Sequence, residues 1–250
     1  MQKHIDRAAL RATILLFGLV ALSAAMLSRA DMSVYGLYDL RHVTDPRDNS
    51  RNFPVVEMKG FFPQSFGSFL FKEEIDLAGS KGNQSQVYSE LDQSIKISRA
   101  ALPGAPLLLH LGYSGGLGVF NNATGGYYVQ NAYGIGPEYG FRLAGAYCDF
   151  YAALRYTDAG RAGYDPMISF WVGKYFLGYK LFVANSLEVW TGADGTPGSG
   201  KLTSWELESE VWYTVAPHTS IGTYLRTTRN VYALSNRWLI YPSIGVRYAL

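Results

Sequence analysis

The sequence predicts an all-β protein: a single closed antiparallel transmembrane β-barrel of about twelve strands, preceded by a cleaved signal peptide. Three observations predict it. Segments of about ten residues alternate apolar and polar with period two along almost the whole chain, the pattern of a membrane barrel strand. The composition of the 250 residues is poor in charge (17%) and rich in aromatics (15%), with 19 Tyr, 13 Phe and 27 Gly. An average soluble domain has roughly 25% charged residues. No segment after residue 30 approaches the 18 consecutive apolar residues of a membrane helix, so any crossing is made by strands. Disorder and coiled coil are excluded by the same composition.

Residues 1–30 read as a secretory signal. Lys3, Arg7 and Arg11 precede an uncharged stretch from Ala12 to Leu27, and Ser28-Arg29-Ala30 ends in small residues at the positions a signal peptidase reads. Cleavage after Ala30 leaves Asp31 first; cleavage after Ala25, or an uncleaved membrane anchor, are the alternatives. No Cys sits at the exit for lipid attachment. The formal charge of the whole chain is +2, and removal of residues 1–30 leaves 18 basic against 19 acidic residues. Such a balance gives no footing for nucleic acid.

The elements of residues 31–250 follow in order. Ser33 to His42 places Val34, Gly36, Tyr38 and Leu40 outward and Asp39 and Arg41 inward. Pro54 to Phe62 sets Val56 and Met58 against Glu57 and Lys59. Gly67 to Leu77 sets Phe69, Phe71, Ile75 and Leu77 against Ser68, Lys72, Glu74 and Asp76. Gln86 to Ser98 sets Val87, Leu91, Ile95 and Ile97 against Tyr88, Glu90, Asp92 and Lys96. Pro106 to Gly115 sets Leu107, Leu109, Leu111 and Tyr113 against His110 and Ser114. Further strands fall at Gly126 to Gly140, Tyr147 to Thr157, Met167 to Phe176, Tyr179 to Thr191, Leu202 to Thr214, Ser220 to Thr228 and Arg237 to Leu250. Twelve is an even number, as single-chain bacterial barrels require. Glu73 conflicts with the scheme, because alternation turns it outward; a rim position or a bulge would each account for it.

Long polar or Gly-rich connections alternate with short turns such as Pro63-Gln64-Ser65, Pro103-Gly104 and Pro217-His218. That alternation fits loops on one rim and tight turns on the other. Alternation alone also fits a soluble sandwich or lipocalin-like barrel with its apolar face inside. Tyr and Trp near strand ends, charges of both signs on the inward face, and the final strand favour the membrane.

The inward face carries the candidate solute pathway: Asp39, Arg41, Glu57, Lys72, Glu74, Asp76, Glu90, Asp92, Lys96, His110, Arg155, Glu188, Glu206, Glu208, Glu210, Arg226 and Arg247. A charge on the lipid face costs roughly 2–4 kcal/mol at mid-depth, less for acids, which explains why these positions are lumenal. Tyr88, Tyr133, Tyr151, Trp171, Trp190 and Trp212 are candidates for stacking flat solutes. A selective pore and a lumen plugged by its own salt bridges are both compatible with this inventory. Its ten acids and six bases, His110 aside, favour cationic or neutral solutes over anions.

No catalytic, metal or cofactor pattern stands out. There is no G-x-S-x-G, and His42, His110 and His218 form no H-x-H or H-E-x-x-H. His110 and Ser114 share a strand face, but the inward one, whereas a membrane lipid hydrolase needs its Ser and His on the lipid side. The single cysteine, Cys148, excludes an intramolecular disulfide and a Cys-based zinc site. Gly115-Gly116-Leu117-Gly118 is followed by no helix, so a phosphate loop is excluded.

Specific segments carry a family resemblance. In order along the chain these are Tyr38-Asp39-Leu40-x-His42, Val56-Glu57-Met58, Gly67-Ser68-Phe69, Glu74-x-Asp76, Tyr88-Ser89-Glu90, Leu109-His110-Leu111-x-Tyr113-x-Gly115-Gly116-Leu117, Asn131-Ala132-Tyr133 and Pro242-Ser243-Ile244. With them the chain resembles the Tsx-like nucleoside-specific channels of Gram-negative outer membranes, most closely a poorly characterised branch of that superfamily, a domain of unknown function. The resemblance implies a twelve-stranded outer-membrane barrel surrounded by lipid and a small-molecule solute, with nucleosides the named class. It assigns no individual nucleoside contact. The last strand, with Ile244, Val246, Tyr248 and Leu250 on one face, resembles the signal read by the outer-membrane assembly machinery, which usually ends in Phe or Trp rather than Leu.

Overall fold

The computed structural model describes residues 31–46, 51–78, 85–97, 106–119, 126–157, 163–193, 201–231 and 237–250. The expected signal segment lies outside the described residues. Twelve antiparallel strands run in chain order: β1 (Asp31–Asp39), β2 (Phe53–Gln64), β3 (Gly67–Asp76), β4 (Gln86–Lys96), β5 (Leu107–Val119), β6 (Gly126–Leu143), β7 (Ala146–Thr157), β8 (Gly163–Phe176), β9 (Leu181–Ala193), β10 (Lys201–Ala216), β11 (Thr219–Arg229) and β12 (Trp238–Ala249). Each pairs with its sequence neighbours, and β1 pairs with β12 from Ser33↔Ala249 to Asp39↔Ser243, closing the barrel. Closure satisfies every ladder and leaves no edge in lipid. One short helix, α1 (Arg41–Thr44), follows β1. The expected first strand therefore stops three residues early, at Asp39.

Period two decides which side chains face in. On β1, Tyr35, Leu37 and Asp39 are buried while Gly36 and Tyr38 are exposed. On β3, Lys72, Glu74 and Asp76 are buried. The outer wall is apolar: Val56, Met58, Ile135, Leu154, Ile168, Leu207, Val211, Ile240 and Val246 are exposed along it. Aromatics collect at both of its ends, Tyr133, Tyr156, Tyr164 and Trp238 towards the long connections and Phe176, Tyr213 and Tyr248 towards the short turns. This is the belt arrangement of a bilayer-spanning barrel. Among the described residues, the outward face carries Lys174 near the short-turn rim, Arg229 at a strand end, and one charge away from the ends, Glu73. The pairings of β3 with β2 and β4 show no shift, so Glu73 is neither at a rim nor beside a bulge; it sits within the wall between Met58 and Ser89.

Two register shifts do occur. One lies between Thr214 and Ala216 of β10, near its turn. The other matters for the inward inventory. Ser114 pairs with Ala132 and Gly116 with Val129, so β6 holds one extra residue opposite Gly115. An extra residue reverses the parity of everything beyond it. Tyr133, expected in the lumen, consequently faces out: it is 47% exposed and packs on Tyr113 and Tyr156. The same shift turns Glu138 inward, where it is buried.

Candidate functional site

The candidate site is the lumen, and its two sides differ. On the side of β1–β3 and β10–β12, the alternation delivers acids and bases in facing columns, and they pair. Glu57, 1% exposed, lies 3.1 Å from Lys59 and 3.8 Å from Lys72. Lys59 reaches Glu210 at 2.9 Å and Lys72 reaches Glu208 at 3.1 Å. Arg226 donates from both terminal nitrogens to Glu74, at 3.2 and 2.7 Å, and lies 3.1 Å from Glu208 and 3.4 Å from Glu206. Three of these pairs, Lys59–Glu210, Lys72–Glu208 and Arg226–Glu74, are chords across the lumen, since β2 and β3 are separated from β10 and β11 by at least two strands, while the others join neighbouring residues or neighbouring strands.

Rings fill the space between the chords. Lys59 lies between the Tyr35 and Tyr224 rings, 5.2 Å from each centroid. Arg247 lies over Phe182 and Trp212. Trp212 is 1% exposed, meets Tyr35 edge-on at 5.3 Å and donates its indole N–H to Glu210 at 2.8 Å. Tyr35, Leu37, Phe53, Val55 and Trp212 form one apolar cluster inside the barrel. Towards the long connections, Arg41 pairs with Asp39 at 2.7 Å and lies between Phe53 and Tyr241, 4.6 Å from each ring. A cavity of about 20 Å³ remains among Asp39, Arg41, Glu74 and Arg226. That is room for about one water.

The side of β4–β9 is different. Its inward carboxyls include Glu90, Asp92, Glu138, Asp149 and Glu188, and among the described residues none of these five forms an ion pair with Lys or Arg. His110, buried, lies 3.5 Å from Asp92 and 3.2 Å from Glu138, and its ring stacks on Tyr151 at 3.9 Å. Ser94 donates to Glu138 at 2.7 Å, and Tyr151 donates to Glu188 at 3.1 Å. The Ser94 hydroxyl is thus spent on a carboxylate and not on the imidazole, which is the reverse of a Ser-His-acid relay. Arg155 lies over the Trp190 ring at 5.3 Å.

Of the expected inward residues, Asp39, Glu57, Lys72, Glu74, Asp76, Tyr88, Glu90, Asp92, His110, Tyr151, Arg155, Trp171, Glu188, Trp190, Glu206, Glu208, Glu210, Trp212, Arg226 and Arg247 stand on the inward face. Arg41 reaches the lumen from α1. Lys96 is exposed at the short-turn rim, where it donates to the Ser65 carbonyl at 2.9 Å. Tyr133 is outside. Lys59, set inward by alternation but not counted in the solute pathway, lines it as well, as do Tyr35 and Tyr224, which alternation also turns inward; the bulge hides Glu138 from a reading of alternation alone. Three expected stacking rings are engaged: His110 covers one face of Tyr151, Arg155 covers Trp190, and Trp212 is enclosed. No group of three His, Cys, Asp or Glu side chains is placed to hold a metal ion among the described residues.

Comparisons with known proteins fit this geometry. No protein-family model and no curated protein sequence matches the chain. Solved structures do. The chain is similar to the KdgM porin, with 9% identity over 87% of this chain and 99% of that one and a TM-score of 0.50. It is similar to the NanC porin, with 14% identity over 88% and 100% of the two chains and a TM-score of 0.52. It is also similar to the outer membrane phospholipase A from Escherichia coli, with 12% identity over 87% and 89% and a TM-score of 0.51. At such identities the likeness is one of fold, and the fold serves porins and an enzyme alike. A closed twelve-stranded barrel with an apolar belt and a charged lumen is a barrel of the Gram-negative outer membrane.

Proposed function

We propose that the barrel is a narrow channel for passive diffusion of small neutral or cationic solutes, with nucleosides the first class to test. The five carboxyls of the β4–β9 side that lack Lys or Arg partners carry this reading. A lumen built only to be filled would compensate its acids there, as it does opposite; an uncompensated acidic wall is stable where water and mobile cations reach it. The solute path runs along Glu90, Asp92 and Glu188, with Tyr88 and Trp171 as the rings for flat solutes. Nucleosides rest on the sequence resemblance and on those rings.

Osmotic swelling of proteoliposomes tests the proposal. Vesicles holding the folded protein should swell in isotonic adenosine or thymidine faster than protein-free vesicles, and more slowly in a sugar acid of similar size. Equal rates with and without protein would remove the channel. Equal rates for nucleosides and sugars would keep the channel and remove the nucleoside preference.

The cross-lumen chords favour a second reading, a plugged structural barrel. Lys72–Glu208 and Lys59–Glu210, with Trp212 beneath, occupy the half-lumen they span. The two readings differ in whether water passes beside the chords.

A further inference from the structure

Gly173 of β8 is buried and faces the lumen, two residues beyond Trp171 on the same strand face. The three atoms nearest to a Cβ built there all belong to one indole: Cη2 of Trp171 at 2.3 Å, Cζ2 at 2.7 Å and Cζ3 at 3.2 Å. The far end of the ring therefore leans along the strand into the space that a side chain at 173 would fill. At Gly222 and Gly245 the nearest atom is instead a backbone oxygen of the neighbouring strand, so those two glycines serve strand contact. What requires glycine at 173 is a ring.

The wall around that ring is low. Asp149 of β7 and Ser186 of β9 flank Trp171 in register, with Gly140 of β6 beyond Asp149 and Glu208 of β10 beyond Ser186. In the next row towards the short turns, Gly173 pairs with Ala184. Small residues thus line the stretch between Asp149 and the Lys72–Glu208 chord, and Trp171 is the large side chain in it. The ring is half-buried and, among the described residues, takes part in no ring stack, cation contact or hydrogen bond; its indole N–H is open to the lumen. Other inward rings are occupied: Trp212 is enclosed with its N–H on Glu210, Trp190 lies under Arg155, and Tyr151 is covered by His110.

We propose that Gly173 is a positioning residue of the solute path. By leaving room for the indole against the wall, it sets the free bore beside the chords and keeps a stacking face there. The solute class that fits is a planar ring bearing a hydrogen-bond acceptor, stacked on Trp171 with the acceptor at the indole N–H. The inference rests on the channel function proposed for the lumen. Ordinary carbon contact is about 3.5–4.0 Å, so a methyl group at 173 would move the ring by about 1 Å or more. Asp149 and Ser186 stand on either side of it, so a ring lifted off this seat moves inward, across the path.

Single-channel conductance and adenosine block of Gly173→Ala, Trp171→Ala and their combination test the proposal. Gly173→Ala should lower conductance by about twofold or more, because the ring is lifted into a narrow path. Trp171→Ala should raise conductance and weaken adenosine block about tenfold, through loss of the stacking face. In the Trp171→Ala background, Gly173→Ala should change nothing, since the added methyl group then meets no ring. All three variants should keep heat-modifiable migration, because the added carbon meets a side chain that can turn away. Four results would each overturn the proposal and leave the channel in place: wild-type conductance or lost folding in Gly173→Ala, an equal fall in the Trp171→Ala background, adenosine block absent from the wild type, and block undiminished in Trp171→Ala. A folded wild type that passes no current would remove the channel, and the proposal with it.

Discussion

Arg226 ties together more of the lumenal network than any other described side chain, touching Glu74, Glu206 and Glu208 at once. Removing one member of a buried ionic cluster strands the rest without compensation, at about 3–5 kcal/mol. Arg226→Leu should therefore lower stability by about that much in urea unfolding from lipid vesicles, and adding Glu74→Gln should recover part of the loss. An Arg226→Leu protein as stable as wild type would show that water already screens the cluster. Most of these residues were legible from alternation alone, because a charged residue on a membrane strand has one affordable direction. Their partners were not. Lys72 and Glu208 are 136 positions apart and meet across the lumen, so no local pattern links them. Engagement of Tyr151 and Trp190 was equally hidden, since stacking on His110 and Arg155 depends on neighbouring strands.

Element by element, strand number and order were readable because period two and turn chemistry recur twelve times. Two features were not. The end of β1 at Asp39 is set by α1, whose Thr44 hydroxyl donates to the Ile240 carbonyl on β12. The bulge in β6 depends on which residue of β5 faces which residue of β6, and one extra residue there put Tyr133 outside. Close strand contacts also impose glycine where the sequence gives only a small residue. A Cβ at Gly136 would fall 1.9 Å from the backbone oxygen of Ala152 on β7. Gly136→Ala should force β6 and β7 apart and cost about 1–3 kcal/mol, read as a lower temperature for loss of the compact heat-modifiable band. A variant with the wild-type temperature would show that β6 and β7 have slack at Gly136–Pro137, where their register pairing lapses.

For the whole molecule, the proposed channel should be charge-selective, because its lumen is only half paired. Under a potassium chloride gradient the reversal potential should report potassium permeating better than chloride, and Glu90→Gln with Glu188→Gln should move it towards zero. A preference for chloride would contradict the assignment of the β4–β9 side as the path. Trp212→Ala, which empties the largest enclosed side chain, should raise conductance if the apolar cluster narrows the bore.

The most direct measurement is single-channel recording of the folded wild-type protein in a planar bilayer, with and without adenosine or thymidine. The account predicts small, discrete, cation-selective openings that a nucleoside partly blocks. Openings indifferent to nucleosides would retain the channel and discard the solute. A protein with heat-modifiable migration that passes no current would contradict the channel and leave the chords of Lys59, Lys72 and Arg226 as a plug.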